Sequence, residues 1–163
     1  MDRLWSPWRM EYLEAARDEE PEGCVFCALL EGGDEEGPRV LAREELAFAT
    51  LAKYPYNPGH LLILPVRHIG ELEELTDAEH AAISRLLTRS IRALRTVADP
   101  QGFNVGINLG RVSGAGIPGH LHWHVVPRWG GDTNFMPVVG QTRVLPELLA
   151  DTYRRLAPAF EQP

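Results

Sequence analysis

From Phe103 to Leu109 apolar and polar positions alternate without a break, with Phe103, Val105, Ile107 and Leu109 on one parity and Asn104, Gly106 and Asn108 on the other. Successive side chains of a strand point to opposite faces, so this run predicts a half-buried strand whose polar face displays Asn108. The same period returns in "HLHWHVV", where His120, His122 and His124 share one face and Leu121, Trp123 and Val125 the other. "VLAREELAFAT" and "HLLILPVRHI" predict two more strands, joined through the turn-prone "KYPYNPG". The period becomes helical in "TDAEHAAISRLLTRSIRALRTVAD", where Ile83, Leu86, Leu87, Ile91, Leu94 and Val97 recur at helical spacing. Thr76 and Glu79 form a capping box at its start, and Pro100 stands just past its end.

The two ends predict less regular structure. "SPWRMEYLEAARDEE" reads as a helical extension of about residues 1–20, opened by Ser6 as N-cap and Pro7 in the first turn, with Trp5, Trp8 and Tyr12 as its apolar surface. Those rings suit core or dimer contact better than base stacking. "EPEGCVFCALLEGGDEEGPRV" is rich in Gly, Pro and acid and reads as loop around a short turn. A C-terminal helix is expected over about residues 146–157, opened by Pro146. Strands and helices in this order predict one α+β domain over 1–163, built on an antiparallel sheet with a long helix and a C-terminal helix.

Charge narrows the function classes. A formal net charge of -7 excludes the broad basic surface of a general nucleic-acid binder, so any phosphate chemistry has to use a local site. No apolar run approaches the roughly 20 residues of a membrane-spanning helix, and the first residues lack the apolar stretch of a secretory signal. The expected location is the cytoplasm, and the expected partners include neither nucleic acid nor membrane. In a reducing compartment the two cysteines, Cys24 and Cys27 in "CVFC", point to metal or redox chemistry before a structural disulfide.

Three imidazoles on one strand face invite two accounts, and on the residues alone both remain open. All three could hold a catalytic zinc with one open position, which leaves the cysteines without a role. Alternatively Cys24, Cys27, His68 and His120 could close a structural Cys2His2 zinc site, leaving His122 and His124 for reaction. A neutral imidazole attacks phosphorus when one ring nitrogen is bare and the other N–H is held by an acceptor, and crowded cationic neighbours disfavour its protonation. His122, in the middle, is the candidate nucleophile. His124 is the candidate phosphate contact or proton donor. The glycine-dense "RVSGAGIPG" supplies backbone N–H groups, those of Gly114, Gly116 and Ile117 among them, for an anion nest, with Asn108 at its entrance and Arg111 adding charge. His60, at the start of a strand, is expected to make a structural hydrogen bond, and His80 to be an ordinary helix-surface side chain.

"HLHWHVV", the glycine loop before it and "NPGHLLILPVRH" together resemble the signature of the histidine triad family, over about Cys24 to Arg128. The resemblance implies an antiparallel sheet with a long helix, paired into a homodimer. It implies nucleotidyl transfer, in which His122 attacks an α-phosphate to form a covalent nucleotidyl-histidine, with His124 and Asn108 on the phosphate. Bacterial members with an early CxxC bind structural Zn2+ through that pair and two histidines, which match Cys24, Cys27, His68 and His120. "LWSPWRMEY", "KYPYNPGH" and "PRWGGDTNFMPV" are similar to bacterial members of the diadenosine tetraphosphate phosphorylase type, in which inorganic phosphate rather than water resolves the intermediate. The chain departs from the family pattern at Ala52, near which many members carry an Asp or Asn that bonds the nucleotide ribose. It also has "GAGIPGH" where phosphoramidase members carry a serine before the triad. The alternatives are therefore a phosphoramidase or general nucleotide hydrolase and, from another class, a nucleotide-binding zinc module without turnover.

Overall fold

The computed structural model describes residues 23–32, 38–133 and 145–161; the expected N-terminal helix lies outside them. In chain order they form α1 (Val25–Leu30), β1 (Val40–Arg43), β2 (Ala47–Leu51), β3 (Leu61–Pro65), α2 (Asp77–Ala98), β4 (Gly102–Ile107), β5 (Trp123–Arg128) and α3 (Leu149–Glu161). The strands make one antiparallel sheet in the order β1-β2-β3-β5-β4, and the fold is α+β as expected. No helix among the described residues is long and apolar enough to cross a membrane.

Strand parity sorts the residues onto two faces. Ala49, Leu51, Leu61, Ile63 and Val125 pack beneath Ile83, Leu86 and Leu94 of α2 and Leu156 and Phe160 of α3. Phe48, Leu62 and Leu64 point the other way and meet Phe26 and Leu29 of α1 in a smaller cluster. The sheet therefore has a helix-covered face and a second face that only α1 covers among the described elements.

Three expectations are corrected. "VLAREELAFAT" is a hairpin of β1 and β2 rather than one strand, closed by Glu44 N–H donating to the Ala47 carbonyl at 2.9 Å. Glu44 and Glu45 are successive charges that a buried strand does not accommodate, and they lie in its turn. "VFCALL" is a short helix rather than loop. The C-terminal helix starts at Leu149 and runs through Pro158 to Glu161, later at both ends than 146–157. Leu156 and Phe160 are buried in the main core, and that burial carries the helix past a residue that cannot donate to its ladder.

β4 keeps its predicted alternation but is less covered than a half-buried strand. It is an edge strand, and Val105 and, just beyond it, Leu109 are 46% and 44% exposed. Cross-strand pairs set Gly106 opposite His124 and Val105 opposite Val125, so the polar parity of β4 lies on the same face as His124.

The capping box at the start of α2 is present. Glu79 N–H donates to Thr76 Oγ1 at 3.2 Å, and Thr76 N–H donates to Glu79 Oε2 at 2.8 Å. Arg67, just after β3, donates to both carboxylate oxygens of Glu79 at 2.8 and 2.9 Å and so ties the sheet to the helix start. The Arg67 guanidinium, with two further bonds from Thr76, holds the buried Glu79 carboxyl down at about 2 against an ordinary 4.5. Thr76→Ala is expected to cost about 1 kcal/mol in urea unfolding. Glu79→Gln should destabilise at neutral pH. Because the folded value is depressed, the stabilising contribution of Glu79 is complete above 4.5 and is lost as pH falls toward 2, so urea titrations of mutant and wild type should converge over that interval.

Candidate active site

β5 begins its ladder at Trp123, so of the three alternating histidines only His124 stands on a paired strand. His120 and His122 precede it in an extended lead-in. Leu121 N–H donates to the Ile69 carbonyl at 2.7 Å, and a β-carbon on Gly70 would meet the Pro118 carbonyl oxygen at 3.0 Å, so the lead-in is pinned closely against the segment after β3. The backbone stays extended, and the alternation survives beyond the ladder. Leu121 and Val125 are buried in the helix-side core with Trp123 packed against it, and the imidazoles take the other face.

Backbone groups decide where each imidazole carries its proton. His120 Nε2 lies 2.9 Å from the Pro65 carbonyl oxygen, which only accepts, so Nε2 bears the hydrogen and Nδ1 is bare. His122 Nδ1 lies 2.8 Å from the His120 carbonyl oxygen, which places its hydrogen on Nδ1 and leaves Nε2 bare. Tyr56 N–H donates to His60 Nδ1 at 3.1 Å, so His60 carries its hydrogen on Nε2 and donates it to His124 Nδ1 at 2.9 Å. His124 consequently presents an N–H at Nε2. That atom is buried and has no hydrogen-bond partner among the described residues.

His120, His122 and His124 are all shifted toward the neutral form. Burial is the largest cause lowering all three. For His124, burial and the neighbouring His122 bring the value to about 4. Phe26 of α1 lies 5.3 Å from the His122 ring, and His122 lies 5.1 Å from His124. A buried imidazole with a bare nitrogen beside an imidazole with an unspent N–H can attack an electrophile and stabilise charge on the group it displaces.

The bare Nδ1 of His120 faces the cysteine pair, at 3.3 Å from Cys24 Sγ and 3.8 Å from Cys27 Sγ, and His68 Nδ1 lies 3.6 Å from Cys27 Sγ. The four ligand atoms lie within 4.8 Å of one another. Cys24 is the N-cap of α1, and Cys27, three residues on, falls on the same side of the helix. Thiolate and imidazole donors at these separations fit a tetrahedral ion with bonds of roughly 2.0 to 2.3 Å. Among the described residues this candidate metal cluster takes in His120 but neither His122 nor His124.

The glycine loop contains a short 3-10 turn, Arg111–Ser113, with Gly114 at φ +91 in a conformation that favours glycine. Arg111 is exposed, Gly116 and Ile117 are half-buried, and Ile117 packs against the Phe26 cluster. The register of β4 and β5, carried one residue beyond the ladder, sets the half-buried Asn108 across from His122.

The HIT domain family matches residues 34–131, more than half of the chain. The chain belongs to the histidine triad family. It is 47% identical to an AP-4-A phosphorylase of Mycobacterium tuberculosis over 163 residues, covering 96% of this chain and 83% of the relative. An adenosine 5'-monophosphoramidase of Schizosaccharomyces pombe is 32% identical over 106 residues, 64% of this chain and 74% of its own length. The crystal structure of a Zn-bound histidine triad family protein from Mycobacterium smegmatis superposes with a TM-score of 0.69 at 29% identity, covering 86% of this chain and 94% of that one.

Two residues of this histidine triad site were not read as such from the sequence. His60 makes a hydrogen bond, as expected, and its acceptor is His124. The sequence signal was its parity, because His60 shares the face of Leu62, which pairs with His124. Gly106, opposite His124, leaves open space where a β-carbon would stand. His80 is exposed on α2 as expected, and Ala52 is buried in the Phe26 cluster, where it offers ribose nothing to bond.

Proposed function

We propose that this histidine triad protein is a dinucleoside polyphosphate phosphorylase acting through a covalent nucleotidyl-histidine on His122. The observation that carries the proposal is the pair of His122 and His124, one with its bare Nε2 and the other with its unspent Nε2–H. The Nε2 lone pair of His122 attacks an α-phosphorus. The P–N bond forms as the bond from phosphorus to the departing phosphate chain breaks, and the Nε2–H of His124 donates a hydrogen bond to a phosphate oxygen or to the leaving oxygen, which departs as the anion. An oxygen of inorganic phosphate then attacks the same phosphorus, the P–N bond breaks, and a nucleoside diphosphate leaves with His122 restored. From diadenosine tetraphosphate the products are ATP and then ADP. Asn108 and the backbone N–H groups of Gly114, Gly116 and Ile117 are assigned to the phosphate oxygens, with Arg111 adding charge at the rim.

The phosphorylase reading is supported by the 47% identity to the Mycobacterium tuberculosis AP-4-A phosphorylase. The choice of acceptor is read from products. Chromatography with diadenosine tetraphosphate should give ADP plus ATP in the presence of phosphate. AMP plus ATP regardless of phosphate would make the protein a hydrolase. In His122→Ala the acid-labile, alkali-stable nucleotidyl-protein should be absent and turnover should fall by at least about 10³-fold; undiminished turnover would refute nucleophilic catalysis.

The Cys24, Cys27, His68 and His120 cluster is assigned to a structural zinc ion, supported by the donor set and by the tautomer of His120. Such an ion would fasten α1, and with it Phe26, over the site face, and no step of the reaction passes through it. Cys24→Ser should lose stoichiometric zinc by elemental analysis and lower Tm; retained zinc at one ion per chain would contradict the four-ligand site.

A homodimer joined along β4 is supported by the free edge of that strand and by the exposure of Val105, Leu109 and Val112 there. Sedimentation equilibrium is expected to give twice the chain mass, and a monomer at micromolar concentration would remove this assignment.

A further inference from the structure

The loop between β2 and β3 places the ring of Tyr56 against two imidazoles at once. Its centroid lies 4.8 Å from that of His60 with an interplanar angle of 24°, and 5.8 Å from that of His124 at 19°. The ring is 45% exposed, and one face is spent on the imidazoles. The loop has a separate anchor. Asn57 already secures it, donating through Nδ2 to the Pro127 carbonyl at 3.0 Å and to Asp132 Oδ2 at 2.7 Å.

The geometry points to Tyr56 as a positioning residue for His124, with its ring acting as a stacked brace that holds the His60–His124 hydrogen bond in line. This inference rests on the assignment of His124 to the phosphate or the leaving group. A hydrogen bond to Nδ1 fixes the direction from His60 to His124 but leaves His124 able to tilt about that bond, because the outer torsion of a histidine has a broad profile. The stack removes the tilt. It also keeps water from a bond between two neutral rings, and such a bond is stronger in a low-dielectric setting. The backbone of the same residue sets the tautomer of His60, so Tyr56 governs the pair twice, through its N–H and through its ring. Only the second of these changes with the side chain.

The test is a set of variants on the full chain, loaded with zinc, each checked for an unchanged Tm. Tyr56→Phe keeps the ring and should hold kcat within about threefold, whereas Tyr56→Ala and the bulkier Tyr56→Leu should lower kcat about tenfold or more with KM little changed, the loss expected when an aligned group becomes free to tilt. A Tyr56→Ala,His60→Ala double variant should be no worse than His60→Ala alone, since the ring acts through that bond. In resting protein labelled with 15N-histidine, the slowly exchanging N–H resonance of His60 should persist in Tyr56→Phe and broaden or vanish in Tyr56→Ala and Tyr56→Leu. That resonance does not depend on turnover, so it judges the brace even if His122 proves not to be the nucleophile. Full kcat together with an intact His60 resonance in Tyr56→Ala would overturn the inference. So would a Tyr56→Phe variant as impaired as Tyr56→Ala, which would assign the effect to the hydroxyl, and so would additive losses in the double variant.

Discussion

Backbone carbonyls and one backbone amide decide where four imidazoles carry their protons, and the rest of the site follows from that placement. The Pro65 carbonyl turns the bare nitrogen of His120 toward two thiols. The His120 carbonyl leaves the bare nitrogen of His122 free of any such partner. The Tyr56 amide, acting through His60, gives His124 the opposite arrangement, with its N–H unspent. Three histidines of like sequence context thus acquire three different placements of bare nitrogen and N–H. Side-chain acceptors could do the same, but a carboxylate would raise the imidazole pKa, and a neutral carbonyl leaves the ring uncharged at working pH.

Neutrality matters because of what the site is proposed to hold. The chain carries a net charge of -7, so a polyphosphate approaches against the overall field. Burial makes the imidazoles poor bases, so in the proposed reaction they would meet phosphate as a nucleophile and a hydrogen-bond donor rather than as cations. The site face of the sheet is arranged for this. Gly106 leaves space over His124, α1 closes the opposite side with Phe26, and the helices that stabilise the fold lie on the other face.

Two sequence segments far apart in the chain prove to be one structural unit. Asn57, in the loop before β3, donates to Pro127 and to Asp132, which lies beyond β5 and takes two bonds from Arg128, at 2.6 and 2.8 Å. Arg128, the first cause, and then the Trp129 backbone, Asn57 and Thr133 hold the Asp132 carboxyl well below the usual carboxylate range. Arg128 in turn reaches Asn104 on β4 at 2.6 Å. This network anchors the loop that carries Tyr56 and His60, and it gives "KYPYNPGH" and "PRWGGD" a physical reason to occur together.

The sequence by itself determined the elements whose signals are local. Parity placed Leu121 and Val125 in the core and the three histidines opposite them, and the Thr76–Glu79 box began the long helix where expected. Both follow from neighbouring residues alone. The CxxC spacing likewise marked Cys24 and Cys27 as a candidate ligand pair, although the short helix that carries Cys27 was read as loop. Only the tertiary structure decided which imidazole each backbone group would reach. Pro65 and His120 are 55 residues apart and His60 and His124 are 64 apart, separations at which side-chain periodicity carries no information about partners. The same holds for β4, whose alternation was legible while its place at the sheet's edge was not. Strand order arises from long-range pairing, and the exposure of Val105 depends on that order rather than on its neighbours in the chain.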